Sequence, residues 1–398
     1  MTAGLKPRRH NRQGMLHVEN PFVYGEVVPQ SAFVDRHDEL KRLGADLLAG
    51  QKVFLISPRR YGKSSLIRRA LANAERAGCL TVEATVSSYS SYLAFLEGYA
   101  KAVLSAETRV SRALLWLREA IGATRPEVRL ETAPDGVSAV AVGFPAVRSA
   151  KDVSRLAPEI FALPARLAEA RGRQVVVALD EFQAIGGFNG GSVEEALRAA
   201  VQHQRQVGYV FAGSEPSLME AMLRPKRPFY KAGPVMRLEK IPADLFATFI
   251  EQRFLKTGMK PESGLGHAVV DLAGQLPYDV QRLAHEVWDD GRADGLKRVG
   301  LDQLHQTLRR LLAEHEVFFE ATWQRLTLGQ RGVLRALVLE EGRNLLSADV
   351  RSRYRLGGAS SVQAALGALQ KHDVVTRDQD RYVVVDSLMR EWVARRTF

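Results

Sequence analysis

Between residues 52 and 240 the chain alternates short apolar runs with longer amphipathic stretches. The stretches repeat their apolar residues with the spacing of a helix. The apolar runs have the length of β-strands and cover residues 52–56, 80–86, 174–179, 209–212 and 235–238. Short strands joined by helices are typical of a parallel sheet that is covered on both faces, so we expect an α/β core.

Other patterns interrupt or follow this core. Residues 128–132 and 137–144 alternate around Pro134-Asp135-Gly136, which predicts an inserted β-hairpin. Three helical segments, two short strands and a last helix from Thr327 onward predict a winged helix. We therefore expect four parts: a flexible basic tail (1–19), the core with a hairpin around 127–145 (20–240), a region that is helical throughout (241–322) and a winged-helix domain (323–398).

The composition indicates the cellular environment of the protein and the kinds of partner that it could bind. No apolar run approaches the roughly 18 residues that cross a bilayer, and no apolar core follows the basic N-terminus, so we expect neither a membrane span nor a signal peptide. The single cysteine, Cys79, fits a reducing cytoplasm and is expected to be a small buried side chain. The net charge of +11 would attract nucleic acid, although arginines spread along an ordinary globular protein give the same balance.

A phosphate-binding loop follows the first strand, as Ser57-Pro58-Arg59-Arg60-Tyr61-Gly62-Lys63-Ser64-Ser65. It fits the Walker A pattern G-x-x-x-x-G-K-[ST], except that Ser57 replaces the first glycine. Gly62 lets the backbone approach phosphate oxygens, and the N-terminus of the following helix attracts the anion. Lys63 would contact the β- and γ-phosphates, Ser64 would ligate Mg²⁺ and Ser65 would bond the α-phosphate. A Gly-Lys-Ser tripeptide also arises by chance, but here it lies between a strand and a helix.

Two carboxylates end the third apolar strand, as Asp180 and Glu181. Such a strand end is a Walker B pattern, in which Asp180 would hold Mg²⁺ and Glu181 would act as the general base for the attacking water. Because neighbouring residues in a strand point to opposite faces, we expect the two carboxylates to serve different tasks. The alternative is a solvated acidic turn, which the upstream P-loop disfavours. Together the motifs predict a site for ATP and Mg²⁺ at the carboxyl edge of the sheet.

With both motifs in place, the chain resembles the P-loop ATPases of the AAA+/STAND type that are abundant in archaea and also found in bacteria. Residues 58–63 match the family's loop, and Phe33-Val34-Asp35-Arg36 resembles its F-x-G-R box, with Asp35 in place of the glycine. The resemblance covers most of the chain and implies that Phe33, Val34 and Arg36 lie near the adenine. It also implies an AAA+ (ASCE) parallel five-stranded sheet of order 5-1-4-3-2, a helical lid and a C-terminal winged helix.

The resemblance also suggests roles for residues outside the Walker motifs. Ser214 would be the sensor 1 residue, or alternatively the N-cap of the next helix. Arg227 would be a finger arginine acting on a neighbour's γ-phosphate, or alternatively an ordinary surface arginine. Pro277 lies in a segment similar to the family's G-x-P-Y in the lid, where Gln275 replaces the glycine and Arg282 is a weak sensor 2 candidate.

The winged helix offers a basic surface for DNA. Residues 360–371 would be the recognition helix and 377–381 the tip of the wing. The helix is mostly alanine and leucine, so Gln363, Gln370 and Lys371 are its candidate contacts. Phosphate contacts are expected from Arg351, Arg353, Arg355, Arg377 and Arg381. The alternative is a winged helix that packs against protein.

Three functions follow from these observations. The leading hypothesis is a Mg²⁺-dependent ATPase that acts as a nucleotide-driven switch on DNA, in which the nucleotide moves the lid and the winged helix. The second is a STAND-like regulatory module that binds ATP tightly and contacts a protein partner. The third is a structural nucleotide binder without turnover, which Glu181 disfavours. An acting Arg227 would further require a homo-oligomer.

Overall fold

The computed structural model describes residues 19–25, 33–106, 126–132, 138–188, 192–378 and 381–396. The basic tail before residue 19, the hairpin turn at 134–136 and the wing residues 379–380 lie outside the described residues. The chain divides into two compact units, Asp35–Ile241 and a second unit that combines Met1–Val34 with Pro242–Phe398.

The first unit is an α/β domain whose elements follow the predicted alternation. In chain order they are α1 (His37–Leu48), β1 (Lys52–Ile56), α2 (Lys63–Arg76), β2 (Leu80–Thr85), α3 (Tyr92–Ser105), β3 (Glu127–Thr132), β4 (Ser138–Gly143), α4 (Ala150–Phe161), α5 (Leu163–Arg171), β5 (Val175–Asp180), α6 (Ser192–Val201), β6 (Val207–Gly213), α7 (Pro216–Met222) and β7 (Val235–Arg237). Short 3₁₀ turns follow β2 at Val86–Ser88 and β5 at Phe182–Gly187.

The five strands β1, β2, β5, β6 and β7 form one parallel sheet in the order β2-β5-β6-β1-β7. Counted along the chain among these strands, this is the order 5-1-4-3-2, so the predicted sheet is confirmed. Every residue of β5 and β6 is buried, because helices cover both faces of the middle of the sheet. The register aligns Ile56 with Gly213 and Leu179 with Phe211, which brings the strand ends to one edge.

An antiparallel hairpin, β3 with β4, lies between α3 and α4 in the chain. Its register pairs Glu127 with Gly143 and Thr132 with Ser138. The helix after it begins with a capping box, in which Ser149 and Asp152 satisfy each other's backbone N–H groups. Cys79 is buried beside the start of β2, and burial raises the pKa of its thiol, as expected for an unreactive side chain.

The second unit is mainly helical. Its elements are α8 (Ala243–Lys256), β8 (Lys260–Pro261), α9 (Leu265–Leu272), α10 (Pro277–Ala293), β9 (Arg298–Val299), α11 (Leu301–Arg325), α12 (Leu328–Leu339), α13 (Ala348–Arg353), α14 (Ala359–Lys371), β10 (Val375–Asp378), β11 (Arg381–Val384) and α15 (Ser387–Arg395). The prediction of helices alone over 242–322 is wrong in one detail, because β8 and β9 pair in parallel. A pairing two residues long leaves no periodic signal in the sequence.

The helical region 241–322, which is the expected lid, and the winged helix are joined inside this unit. Helix α11 runs continuously across the predicted boundary at 322/323. At the other end of the winged helix, Trp392 on α15 donates a hydrogen bond to Glu316 on α11 over 2.6 Å. Arg390, also on α15, donates to the carbonyls of Asp271 and Leu272, which end α9. Helix α15 therefore ties the winged helix to two helices of the lid.

The N-terminal segment belongs with the lid, although its place in the chain predicts it in the α/β core. Asn20 donates to the His285 carbonyl and to Asp289, at 3.1 Å and 2.9 Å. Tyr24 donates to Glu286 over 2.8 Å, and its ring packs edge-on against His285. These contacts hold residues 19–25 along α10, because their side chains complement that helix. Within the described residues, none of the helices is both long and apolar enough to cross a membrane.

Candidate nucleotide-binding site

The P-loop connects β1 to α2 at the carboxyl edge of the sheet. Ser57 is buried, and its N–H donates to the Gly213 carbonyl over 3.2 Å. Its backbone is not left-handed, so the loop does not require glycine at this position. Arg60 and Gly62 carry the left-handed conformations instead, with φ of 70° and 87°. The departure from the Walker A pattern at Ser57 is therefore compatible with the curl of this loop.

Four side chains from distant parts of the chain meet beside this loop. Lys63, only 6% exposed, donates to Asp180 and, over 3.3 Å, to Glu181. Ser64 donates to the other oxygen of Asp180 over 3.1 Å. The contact arises because α2 begins at Lys63 while β5 ends at Asp180, so both ends lie at the same edge of the sheet.

The side chains of Asp180 and Glu181 do not point to opposite faces of the sheet, as those of neighbouring strand residues would. Strand β5 ends at Asp180, and Glu181 adopts a left-handed backbone with φ of 51° before the 3₁₀ turn. Its N–H donates back to Asp180 Oδ1 over 2.8 Å. The expectation of opposite faces is wrong, because the chain turns at Glu181 and both carboxylates reach Lys63.

Glu181 has its own set of hydrogen bonds. Its Oε2 accepts from the Ser214 hydroxyl over 2.5 Å and from the Gln183 amide over 2.6 Å. Burial raises the pKa of Glu181, but these two donors and the charge of Lys63 outweigh it and hold that pKa below its ordinary value. For Lys63, burial dominates and lowers the pKa of the ammonium, which Glu181 opposes. The carboxylate is thus kept ionised.

Ser214 and Gln183 are the residues that orient this carboxylate. Helix α7 has Glu215 at its N-cap, so the alternative interpretation of Ser214 as an N-cap is wrong. Gln183 was not among the predicted site residues. The sequence shows only that Gln183 lies two positions after Glu181. It does not show that the turn after the strand brings the Gln183 amide back to the Glu181 carboxylate.

The donor set fits a magnesium ion and a phosphate. Ser64 Oγ and Asp180 Oδ2 are oxygen ligands 3.1 Å apart, and Mg²⁺ takes few protein oxygens because it keeps several waters. No group of three His, Cys, Asp or Glu side chains with metal-binding geometry occurs in the part of the chain that the structure describes. A β-carbon at Gly62 would meet nothing within 4 Å, so the start of α2 is open to an anion.

Comparisons with known proteins agree with this architecture. A family model described as a probable winged helix domain matches residues 317–395. A Walker-type ATPase of Pyrococcus abyssi is similar with a TM-score of 0.60 and 16% identity, over 92% of this chain and 97% of its own. The ORC1 protein of Aeropyrum pernix, in complex with DNA, gives a TM-score of 0.51 and 15% identity over 94% and 95% of the two chains. No curated protein matches the sequence.

This chain has the P-loop AAA+ fold, followed by a winged helix. The likeness covers nearly the whole length of both structures, so the fold extends through the lid. In this fold the edge of the sheet that carries the P-loop also carries Asp180, Glu181 and Ser214.

Arg227, the candidate finger arginine, lies between α7 and β7 in the chain. Its Nη2 donates to Glu194 Oε1 on α6 over 2.7 Å. Glu194 is 1% exposed, whereas the Arg227 side chain is 45% exposed. Burial raises the pKa of Glu194, and the Arg227 charge opposes this rise. Glu194 is a second residue that the sequence motifs did not indicate, because it lies in an ordinary amphipathic helix.

The segment expected near the adenine is divided between the two units. Arg36 is buried in the α/β unit and donates to Glu39 over 2.7 Å and to the Glu239 carbonyl. Phe33 and Val34 belong to the other unit, as does Pro277, which opens α10. Arg282, the weak sensor 2 candidate, contacts His315 over 3.0 Å.

Two of the three residues that replace glycines of the family, Asp35 and Gln275, adopt the left-handed conformation that glycine favours. Asp35 has φ of 52° and Gln275 has φ of 60°. The left-handed backbone costs roughly 1–2 kcal/mol for a residue with a β-carbon. The two turns therefore keep the shape that the resemblance implies, and the substituted residues bear the strain.

Proposed function

We propose that this protein binds ATP with Mg²⁺ and hydrolyses it. The observation that carries the proposal is the convergence of Lys63, Ser64, Asp180, Glu181 and Ser214 at one edge of the sheet. The Lys63 ammonium lies beside two carboxylates at the open start of a helix, which is the arrangement that a nucleoside triphosphate with a divalent ion requires.

In this proposal each side chain has a separate task. Lys63 and the N–H groups at the start of α2 bind the phosphates, while Ser64 and Asp180 would hold Mg²⁺. When bound, the ion neutralises charge on the phosphate oxygens. Glu181 accepts a proton from the attacking water, and its hydrogen bonds from Ser214 and Gln183 favour the ionised carboxylate. Ser214 and Gln183 hold the Glu181 carboxylate in one orientation.

Nucleotide binding would rearrange the ion pairs of the site. Lys63 is now bound to Asp180 and Glu181, and it must turn toward the phosphates to reach them. The new anion replaces the carboxylates as its partner, which releases Asp180 for the metal and Glu181 for the water. The exchange is a local charge rearrangement of the kind that drives nucleotide switches.

We further propose that this switch acts on DNA through the winged helix. The chain carries a net charge of +11, and Gln363, Gln370 and Lys371 are exposed on α14. The ORC1 protein with the same fold is in complex with DNA. Because Arg390 and Trp392 tie the winged helix to the lid, a lid that moves with nucleotide carries the winged helix with it.

A second candidate is a regulatory module that contacts a protein partner. It is favoured by acidic side chains that lie close to arginines of the winged helix and offset their positive charge. Arg353 is already paired with Glu340 over 2.7 Å, and Arg381 lies 4.0 Å from Asp378. Besides Gln363, Gln370 and Lys371, the exposed residues of α14 are Ala359, Ser360, Ser361 and Ala364, so the helix offers few of the long polar side chains that contact base edges. In this version the protein binds ATP tightly and hydrolyses it slowly.

The first experiment measures ATP turnover and ATP affinity with and without duplex DNA. Lys63→Ala should lose affinity, and Glu181→Gln should keep affinity but lose turnover. The matched controls are Lys101→Ala and Glu83→Gln, which change exposed side chains of the same unit. Unaltered ATP affinity in Lys63→Ala would show that the site is wrong.

The same experiment separates the two candidate functions. DNA affinity that falls steeply with salt, together with turnover that DNA stimulates, supports the DNA switch. Tight ATP binding with little turnover and no response to DNA supports the regulatory module instead.

A further inference from the structure

Arg227 lies in a loop that is anchored to the core of the α/β unit. Two residues after it, Phe229 is fully buried. The Phe229 ring lies 5.7 Å from Phe54, 5.3 Å from Phe182 and 5.4 Å from Phe211. These three rings belong to β1, to the turn after β5 and to β6, which are the elements that lead into the candidate site. The loop is therefore fixed relative to the P-loop and the Walker B turn.

A second anchor holds the side chain of Arg227 itself. Glu194 Oε1 accepts from Arg227 Nη2 over 2.7 Å, while Glu194 Oε2 has no hydrogen-bond partner among the described residues. The carboxylate also lies against the 3₁₀ turn that follows Glu181, since a β-carbon at Gly186 would be 3.8 Å from Glu194 Oε1. Glu194 thus pairs with Arg227 and lies beside Gly186, near the end of the turn that follows Glu181.

The guanidinium remains available to an anion. An arginine offers five N–H donors in a planar fork, and in the described residues Arg227 uses one nitrogen, toward Glu194. The side chain is 45% exposed and is bonded to none of Lys63, Asp180 or Ser214. A guanidinium that is fixed before binding loses less conformational freedom when it meets a phosphate.

Stability does not account for this pair. A buried carboxylate loses its hydration, and a buried ion pair contributes little net stability compared with apolar side chains of the same size. Glu194 is almost completely buried, yet one of its oxygens stays without a described partner. An arrangement that costs desolvation and leaves most of the guanidinium unused is better suited to fixing Arg227 than to stabilising the fold.

We propose that Glu194 is a positioning residue, which holds Arg227 in the orientation needed to contact the γ-phosphate of ATP bound by a second copy of this chain. The proposal rests on the ATPase function proposed above. In this role Glu194 acts through Arg227, with which it is paired. Loss of its charge should leave ATP binding intact while removing part of the contribution of Arg227 to turnover.

The test measures ATP turnover against protein concentration for wild type, Glu194→Gln, Arg227→Ala and the double variant, with Glu195→Gln as the matched control on the exposed face of α6. A finger arginine contributes on the order of 10³–10⁵ in rate, so misplacing it should lower kcat by about tenfold or more in Glu194→Gln. KM for ATP should not change, and the double variant should turn over no more slowly than Arg227→Ala alone.

Several results would overturn the proposal. One is wild-type turnover in Glu194→Gln while Arg227→Ala is slow, and another is a double variant slower than either single variant. Wild-type turnover per chain that persists unchanged after dilution to a monomer would also exclude action on a second copy. Lys63→Ala serves as the reference for the site itself. If it loses ATP affinity while both Arg227 and Glu194 variants behave as wild type, the proposed function stands and this inference fails.

Discussion

The ion pair between Arg227 and Glu194 predicts an unequal response to removal of either partner. Arg227→Ala leaves the Glu194 carboxylate buried without its cation, because Glu194 is 1% exposed. Glu194→Gln leaves Arg227 unpaired, but that side chain is 45% exposed and water can solvate it. We therefore expect Arg227→Ala to destabilise the α/β unit clearly and Glu194→Gln to change its stability little.

The magnitude follows from the burial of the two partners. Breaking a fully buried pair costs about 3–5 kcal/mol, and the exposure of Arg227 reduces this to about 2–3 kcal/mol. A unit of this size shifts its melting temperature by roughly 2–4 °C per kcal/mol, so we expect a loss of roughly 5–10 °C. Glu194→Gln should stay within about 1 kcal/mol of wild type.

The effect should also depend on pH. Burial raises the pKa of Glu194, and Arg227 opposes that rise, so the pKa in Arg227→Ala is higher still. A raised folded-state pKa means that the folded state binds the proton more tightly than the unfolded state. The stabilisation from protonation is complete below the unfolded pKa of about 4.3 and is lost as pH rises through the folded pKa. The loss of folding stability in Arg227→Ala, relative to wild type, should therefore be large at pH 7 and smaller near pH 5.

Thermal unfolding by circular dichroism, at both pH values, measures this deficit. The reference is the double variant Arg227→Ala, Glu194→Gln, which removes the buried charge together with its partner and should regain most of the lost stability. An equal deficit at both pH values, or a double variant as unstable as Arg227→Ala, would refute the reasoning.

Three further predictions concern the strained turn, the lid and the nucleotide site. Gln275→Gly should raise the stability of the second unit by about 0.5–1 kcal/mol in thermal unfolding, because it relieves the left-handed backbone, whereas Gln275→Ala should not. Arg390→Ala should speed hydrogen exchange in the last turn of α9 and cost about 1 kcal/mol, while Arg396→Ala, whose partner Glu320 is on α11, should leave that turn protected. ATP with Mg²⁺ at 100 times its dissociation constant should stabilise the wild type by about 2.7 kcal/mol in a thermal shift, and Lys63→Ala should lose this gain at the same concentrations.

The three residues that replace glycines of the family differ in the backbone strain that they cause. Ser57 replaces the first glycine of the P-loop at a position that is not left-handed, so no strain arises there. Asp35 and Gln275 replace glycines at positions that are left-handed, with φ of 52° and 60°. A missing glycine is therefore informative only together with the backbone conformation at its position.

The sequence by itself determined the sheet and the location of the candidate site. Apolar runs of strand length, separated by helical periodicity, predicted the parallel core, because periodicity reflects which face of each element is buried. The spacing of Gly62-Lys63-Ser64 and of Asp180-Glu181 indicated which strand ends carry the chemistry. The winged helix was predicted in the same way, and the family comparison over residues 317–395 agrees with it.

The tertiary structure decided the contacts between residues that are far apart in the chain. It turned Glu181 back toward Lys63, placed Gln183 and Ser214 on the same carboxylate oxygen, and paired Arg227 with the buried Glu194. It also placed residues 19–25 on the lid, although they precede the α/β core in sequence. Such contacts depend on the shape and charge of two distant surfaces that meet only in the folded chain, and neither surface leaves a repeat or a spacing that a single sequence could reveal.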